Sequence, residues 1–313
     1  MVAPNGKVWF CWTSNAGGDK YDIFVTSLDR LDAGQDSIRV TRSDDDAMHG
    51  RVACDASGAL WIAYYKWQKN NAGISRDKEV FVRQVKDGEL SREVQISPTD
   101  VPSYEDHTDP AIALVDGKAV VAWSWDFHRP PSYTQAAREP TIFLRALESN
   151  LDLGKPFHAS AGNIDMVPIL ATDGDAAWCA WDSLIRSGRA LSKTLFVRRV
   201  ETQACASEPV PIVSNLEHLC SPSFVKHPDG RMTLVWCQKQ RNRGWELRTS
   251  TWNEQGKWSR PETLISEGNP RHCSATLDTQ GALWISYTAD TAQGRQVQVQ
   301  RIDRYNVARV SCP

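Results

Sequence analysis

Four histidines, His49, His107, His218 and His272, stand where polar segments give way to short apolar stretches, and His158 and His227 stand near two similar places. Imidazole titrates close to neutral pH, so histidines that converge beside acids and arginines can take and give protons in catalysis. The acids at hand are Asp106, Asp109, Asp165 and Asp182, the arginines Arg51 and Arg271, and the densest cluster is Tyr104-Glu105-Asp106-His107-Thr108-Asp109. Counted from the Gly turn that follows each stretch, His107 falls one position before His49 and His272.

Two reactions suit such a set. Glycoside hydrolysis needs two carboxylates at the separation of a retaining or inverting pair, and the four aspartates are the candidates. Elimination on a uronate needs a base, for which His107 or His49 serves, and a cation for the sugar carboxylate, for which Arg51 or Arg271 serves. The catalytic candidates are therefore His107, His49, Asp106, Asp109, Asp165 and Asp182. The substrate-binding candidates are Arg51, Arg271, His218, His272, Trp67, Trp125 and Tyr104.

Each residue has a second explanation. A single histidine at a strand start also serves as a backbone cap or pairs with a neighbouring aspartate. Trp67 and Trp125 follow apolar runs and fall in long connections, where an indole stacks on a sugar or packs the loop on itself. The Glu105 to Asp109 run supplies oxygens and an imidazole for a divalent cation, but solvated loop acids are by far the commoner source of such a run, so no metal or cofactor is assigned. No Gly-rich phosphate loop, Gly-x-Ser-x-Gly elbow or His-Glu-x-x-His occurs, which removes the common nucleotide, serine-hydrolase and zincin readings.

The elements that must position these residues are visible as a repeat. A Gly or Asp turn leads into an apolar strand, B, ending in an aromatic residue. The copies are Gly6 to Trp12, Gly58 to Tyr64, Gly117 to Trp123, Asp175 to Trp181, Gly230 to Trp236 and Gly281 to Tyr287, and the final aromatics lie 52, 59, 58, 55 and 51 residues apart. Apolar runs this continuous imply strands covered on both faces. A more polar strand, C, follows, as in Ile23 to Leu28, Val80 to Val85, Ile142 to Leu147 and Leu195 to Val200. Strand D is an apolar residue and a hydroxyl: Val40-Thr41, Ile96-Ser97, Ala159-Ser160, Val213-Ser214, Ile265-Ser266 and Val310-Ser311. A short strand A, such as Pro110 to Val115, links each D to the next B.

Four strands repeated six times at about fifty residues, without helical periodicity, predict a six-bladed β-propeller with four-stranded antiparallel blades in one domain. The blades are 1–43, 44–99, 100–162, 163–215, 216–267 and 268–313. The first lacks room for a full strand A, so Met1 to Pro4 are expected to form a stunted one. Histidines 49, 107, 218 and 272 are expected to face one end of the channel. Trp245, Trp252 and Trp258 are placed in the outer strands of the fifth blade.

The blade pattern Asp55…Gly58-Ala59-Leu60-Trp61-Ile62-Ala63-Tyr64 and Asp278…Gly281-Ala282-Leu283-Trp284-Ile285-Ser286-Tyr287 resembles the sialidase-like (BNR-type) propellers over essentially the whole chain. The full Asp-box, Ser-x-Asp-x-Gly-x-x-Trp, and an Arg-Ile-Pro motif are not present, so the resemblance transfers an architecture and no catalytic residue.

The 313 residues are 41% hydrophobic and 24% charged, with 36 basic against 38 acidic side chains. That is the composition of a folded, dissolved protein with no electrostatic footprint for nucleic acid or an anionic membrane. The expected partner is a saccharide or another small polar ligand. The first residues carry no export signal, which implies a cytoplasmic chain as given, or a secreted or periplasmic one if the natural start lies upstream. Cys11, Cys54, Cys179 and Cys237 fall in apolar strands and are expected to be unpaired. A carbohydrate-active enzyme, hydrolase or lyase, is the first reading. A non-catalytic ring binding a glycan or protein on the same face is the second, since the fold alone does not choose between them.

Overall fold

The computed structural model describes residues 1–16, 18–42, 44–69, 76–98, 105–127, 140–160, 164–187, 190–240, 243–253, 256–278 and 280–302. Almost all regular structure among the described residues is antiparallel strand, gathered in sheets of three to nine strands. The chain divides into two compact units, residues 1–179 with 198–209, and residues 180–197 with 210–313.

The first unit opens with β1 (Trp9–Ser14), β2 (Asp22–Ser27), the helix α1 (Leu28–Asp32) and β3 (Ile38–Arg39). The sheet order is β1-β2-β3. Val2 bridges Val8 in antiparallel fashion and Met1 exchanges both backbone hydrogen bonds with Trp9 at 2.9 Å, which is the stunted inner strand. The repeat contains no helical period, yet α1 forms over one turn, because the Ser27 hydroxyl accepts from Arg30 N at 3.4 Å and Asp29 stands in the first turn.

Next come β4 (Ala47–Cys54), β5 (Leu60–Lys69), β6 (Arg76–Lys86), β7 (Glu89–Leu90) and β8 (Val94–Gln95), then β9 (Glu105–Val115), β10 (Lys118–Phe127), β11 (Thr141–Leu147) and β12 (Phe157–His158). Strand β5 pairs with β4 and β6, whose far edge takes both short strands; β9, β10, β11 and β12 pair in sequence. One parallel bridge, Lys78 to Asp106, joins the two groups. Strand β13 (Ile164–Asp173) ends this part, and the division between units falls inside β14 (Ala176–Ser187) and β15 (Ala190–Val200).

The second unit continues with β16 (Val210–Leu216), β17 (His218–Lys226), β18 (Met232–Lys239), β19 (Trp245–Trp252) and β20 (Glu262–Ile265). The last four form a sheet in sequence order, and β21 (Arg271–Leu277), β22 (Leu283–Thr291) and β23 (Gly294–Ile302) form another. The expected last strand D, Val310-Ser311, lies outside the described residues.

The repeat residues have identifiable jobs. In the first three repeats the strand D hydroxyl accepts a backbone donor of strand C: Thr41 from Ile23 N at 2.9 Å, Ser97 from Val80 N at 3.1 Å and Ser160 from Ile142 N at 2.9 Å. The apolar residue just before each hydroxyl offers its carbonyl to an arginine of the following repeat, Val40 to Arg83 and Ile96 to Arg145 at 2.8 Å, and Ala159 to Arg198 at 2.7 Å. The turn aspartates hold strand B tryptophans: Asp55 accepts from the buried Trp61 Nε1 at 3.2 Å, and Asp278 from Nε1 of Trp284, which is 38% exposed, at 2.9 Å. Trp61, Trp123, Trp181 and Trp236 are fully buried.

The inner strands are longer than the sequence pattern predicts. Period-two alternation continues past the apolar runs, so Tyr65 to Lys69 remain in β5, Trp125 remains in β10 and Asp182 in β14, while Glu105 to Asp109 open β9. These residues are therefore strand residues, where loops were expected.

Candidate functional site

The inner strands share one irregularity. Register shifts leave His49 and Gly50 opposite Tyr64, Asp109 and Pro110 opposite Trp123, Ser221 and Pro222 opposite Trp236, and His272 and Cys273 opposite Tyr287. The first residue of each pair is left-handed, with φ of 55° at His49, 51° at Asp109, 50° at Ser221 and 53° at His272, and Val167 joins them at 52°. Such bulges re-aim a side chain, and the left-handed region favours Asn, Asp and His among residues that carry a side chain. The recurrence of histidine here is thus in part a backbone requirement.

This register corrects the equivalence drawn from the Gly turns. The hairpin after β9 is a two-residue Asp116-Gly117 turn, whereas Cys54 and Leu60 are joined through five residues. The bulge therefore aligns Asp109, and not His107, with His49 and His272, and places His107 beside the position of Ala47.

In the first unit the two successive bulge residues meet. His49 Nδ1 lies 2.9 Å from Asp109 Oδ1, and the imidazole keeps 46% of its surface exposed. Burial works against ionisation of Asp109, but the bond and charge of His49, the Thr108 hydroxyl at 3.1 Å and Arg51 together hold its carboxyl below the usual range. An ionised carboxylate only accepts, so His49 Nδ1 carries the proton and Nε2 is left as the basic nitrogen. The Tyr65 ring meets the imidazole edge-on at 5.1 Å. Burial, with Asp109 and Asp106 nearby, raises the Tyr65 phenol above its ordinary value and keeps it protonated. Arg51, two residues along β4, is exposed.

The other candidates are placed differently. His107 is fully buried, accepts from Trp123 Nε1 at 2.9 Å and stacks on Trp125 at 5.7 Å. Burial pushes its pKa down to about 3, against the pull of Asp106, so it stays neutral and is not positioned to meet a substrate. Asp106 accepts from Lys78 N and Nζ, each at 3.2 Å, and the same ammonium lies 4.6 Å from the Trp67 ring centre. Trp125 also packs on Phe143 at 4.5 Å, a structural setting for an indole expected in a loop. Asp165 is buried in β13, and Asp182 is buried and ion-paired with Lys193. His158 and His227 are structural, against Phe143 and Thr233 respectively. Tyr104 lies outside the described residues.

The second unit holds His218, Arg271 and His272. His218 stacks on Trp245 at 5.8 Å, Arg271 Cζ sits 5.3 Å from the centre of the same ring, and His272 is exposed at its bulge. Trp245 opens β19, the strand that pairs with both β18 and β20, and sequence reasoning missed its part in this cluster. Its one signal was its position directly after a polar loop. Among the described residues, no group of three His, Cys, Asp or Glu is arranged to hold a metal ion.

No family model matches the sequence, and no curated protein matches it. Solved structures do. The chain superimposes on an α-L-arabinanase of Penicillium chrysogenum complexed with arabinobiose with a TM-score of 0.61 and 12% identity, over 98% of this chain and 93% of that one. It is similar to a GH93 α-L-arabinofuranosidase of Fusarium graminearum, also complexed with arabinobiose, with a TM-score of 0.58 and 11% identity, over 97% and 92%. It also resembles a Dyadobacter fermentans protein of unknown function, with a TM-score of 0.62 and 10% identity, over 96% and 92%. At such identities the likeness establishes a fold shared with glycoside hydrolases, and the activity has to be argued from the site.

Proposed function

We propose that this chain is a carbohydrate-active enzyme built on a six-bladed propeller, in which His49 moves a proton on an acidic saccharide. The observation that carries the reading is the 2.9 Å pair of His49 Nδ1 and Asp109. It fixes the tautomer that leaves Nε2 basic, stabilises the imidazolium once formed, and leaves the imidazole half exposed. The fold shared with an α-L-arabinanase and an α-L-arabinofuranosidase, each complexed with arabinobiose, supports a saccharide ligand.

Between hydrolysis and elimination, the charges around His49 favour elimination. The hydrogen bond from His49 helps hold the Asp109 carboxyl below its usual range, which makes it a poor proton donor to a leaving group, and Asp106 is ion-paired with Lys78. In the elimination, Nε2 of His49 takes the C5 proton of a uronate and the electrons of that C–H bond form the C4–C5 double bond. The C4–O bond breaks, its electron pair stays on the glycosidic oxygen, and that oxygen receives a proton from the imidazolium, which restores the base. Arg51 neutralises the sugar carboxylate and so stabilises the carbanion.

A panel of uronate and neutral oligosaccharides tests this, with His49→Ala beside the wild type. Turnover of a uronate that ends in an unsaturated sugar and is lost in His49→Ala supports the reading. No turnover of any uronate, or turnover unchanged in His49→Ala, contradicts it.

A further inference from the structure

We infer that the second unit carries a binding platform for an acidic saccharide, formed by Trp245, His218 and Arg271, which shares no residue with the His49 group. His218, Trp245 and Arg271 are the first residues of β17, β19 and β21, so three strand starts deliver them to one place.

The geometry is that of a recognition surface more than of a packed core. The His218 and Trp245 rings lie within 16° of parallel at 5.8 Å, and the Arg271 guanidinium carbon sits 5.3 Å from the Trp245 ring centre. Trp236, in the neighbouring strand, shows the purely structural alternative: it is fully buried and its Nε1 donates to Gln238 at 2.9 Å. Trp245 instead remains partly exposed while it packs against the cluster around Val235, Leu247 and Cys273. Its backbone is fixed by Asn269, whose Oδ1 accepts from Trp245 N at 3.4 Å and approaches Gly244 so closely that a Cβ there would lie 3.0 Å away. A platform residue needs such a rigid mount.

The ligand class follows from the groups presented. An indole face packs against the C–H face of a pyranose ring. Arg271 offers a planar fork suited to a carboxylate. Its pairing with Asp290 is long, 3.7 Å, and partly exposed, an arrangement of little energy that a ligand carboxylate can replace. His218, 54% exposed, adds a donor at the rim. A sugar ring bearing a carboxylate satisfies all three groups together.

Affinity electrophoresis tests this without requiring turnover, so its failure is separate from that of the proposed reaction. The full chain, Trp245→Ala, Trp245→Phe, Arg271→Gln and His49→Ala are run in gels containing polygalacturonate or, as the neutral comparison, galactan. Expected is retardation by polygalacturonate alone, weakened about tenfold in Trp245→Ala and Arg271→Gln, and partly kept in Trp245→Phe. Thermal melting shows whether each variant is folded; if Trp245→Ala is not, Arg271→Gln decides. No retardation of the wild type, equal retardation by galactan, or wild-type affinity in the folded variants overturns the inference. Loss in His49→Ala alone assigns the binding to the first unit and overturns it as well.

Discussion

His49 and Asp109 are 60 residues apart, yet Nδ1 of one lies 2.9 Å from Oδ1 of the other because both occupy the left-handed bulge opposite the last aromatic residue of strand B. A left-handed non-glycine residue costs on the order of 1–3 kcal/mol, and repeating it in successive inner strands puts that strain where two reactive side chains meet.

Asp109→Asn is expected to lower kcat by roughly a hundredfold or more with little change in KM, because the amide no longer stabilises the imidazolium. Asp109 also contributes to stability. Its folded carboxyl is depressed, so that contribution is present above the ordinary carboxylate range and lost as pH falls through the folded value. Melting curves across acid pH should show a smaller loss in Asp109→Asn than in the wild type. Equal losses would show that the ion pair is not formed in solution.

His107 titrates near 3 in the folded chain against about 6.5 when unfolded, so between those values only the unfolded state binds the proton. Stability should therefore fall on acidification through this window, by about 1.4 kcal/mol per pH unit from this residue. His107→Gln keeps an acceptor for Trp123 Nε1 and removes the titration. Denaturant unfolding between neutral and acid pH should show a flatter slope in the variant, and an identical slope would refute the buried neutral histidine.

Gly50 follows His49 in its bulge, and a Cβ there would lie 2.7 Å from Cys11 Sγ and 2.9 Å from Ile23 Cγ2. Gly50→Ala should cost about 1–3 kcal/mol by overpacking. Because relief requires the bulge to shift, activity should fall as well, and Cys11→Gly in the same chain should recover part of the stability. Urea titration of the wild type and the two variants reads this directly.

The thiols should be inert in the native state. Cys11, Cys54, Cys179 and Cys237 are free. Burial pushes Cys11 up to about 12 and raises Cys54 and Cys179, which suppresses the reactive thiolate. Iodoacetamide labelling followed by mass spectrometry should modify these three only after unfolding. Rapid native labelling of Cys179 would contradict its placement in the core.

The strand repeat was legible in the sequence because apolar runs, Gly turns and the apolar-hydroxyl pair are local patterns, and the hydroxyls of Thr41, Ser97 and Ser160 accept backbone donors of strand C. His49, Asp109 and Arg51 were among the residues singled out. Their pairing was hidden because turn length, which sets register, differs between β4-β5 and β9-β10, five residues against two. His107 looked like the strongest base from its acidic neighbours, yet strand alternation turns it inward onto Trp123 and Trp125. Trp245 was missed because the cluster around it depends on three strand starts far apart in sequence.

The most direct test of the His49 chemistry is cleavage of a polyuronate in heavy-oxygen water, followed by mass spectrometry of the fragments. Elimination transfers no water oxygen, so the new reducing ends should be unlabelled immediately after cleavage, their partners should carry a C4–C5 double bond, and both products should vanish in His49→Ala. Heavy oxygen in the cleaved linkage without unsaturation, or cleavage that persists in His49→Ala, would contradict the assignment.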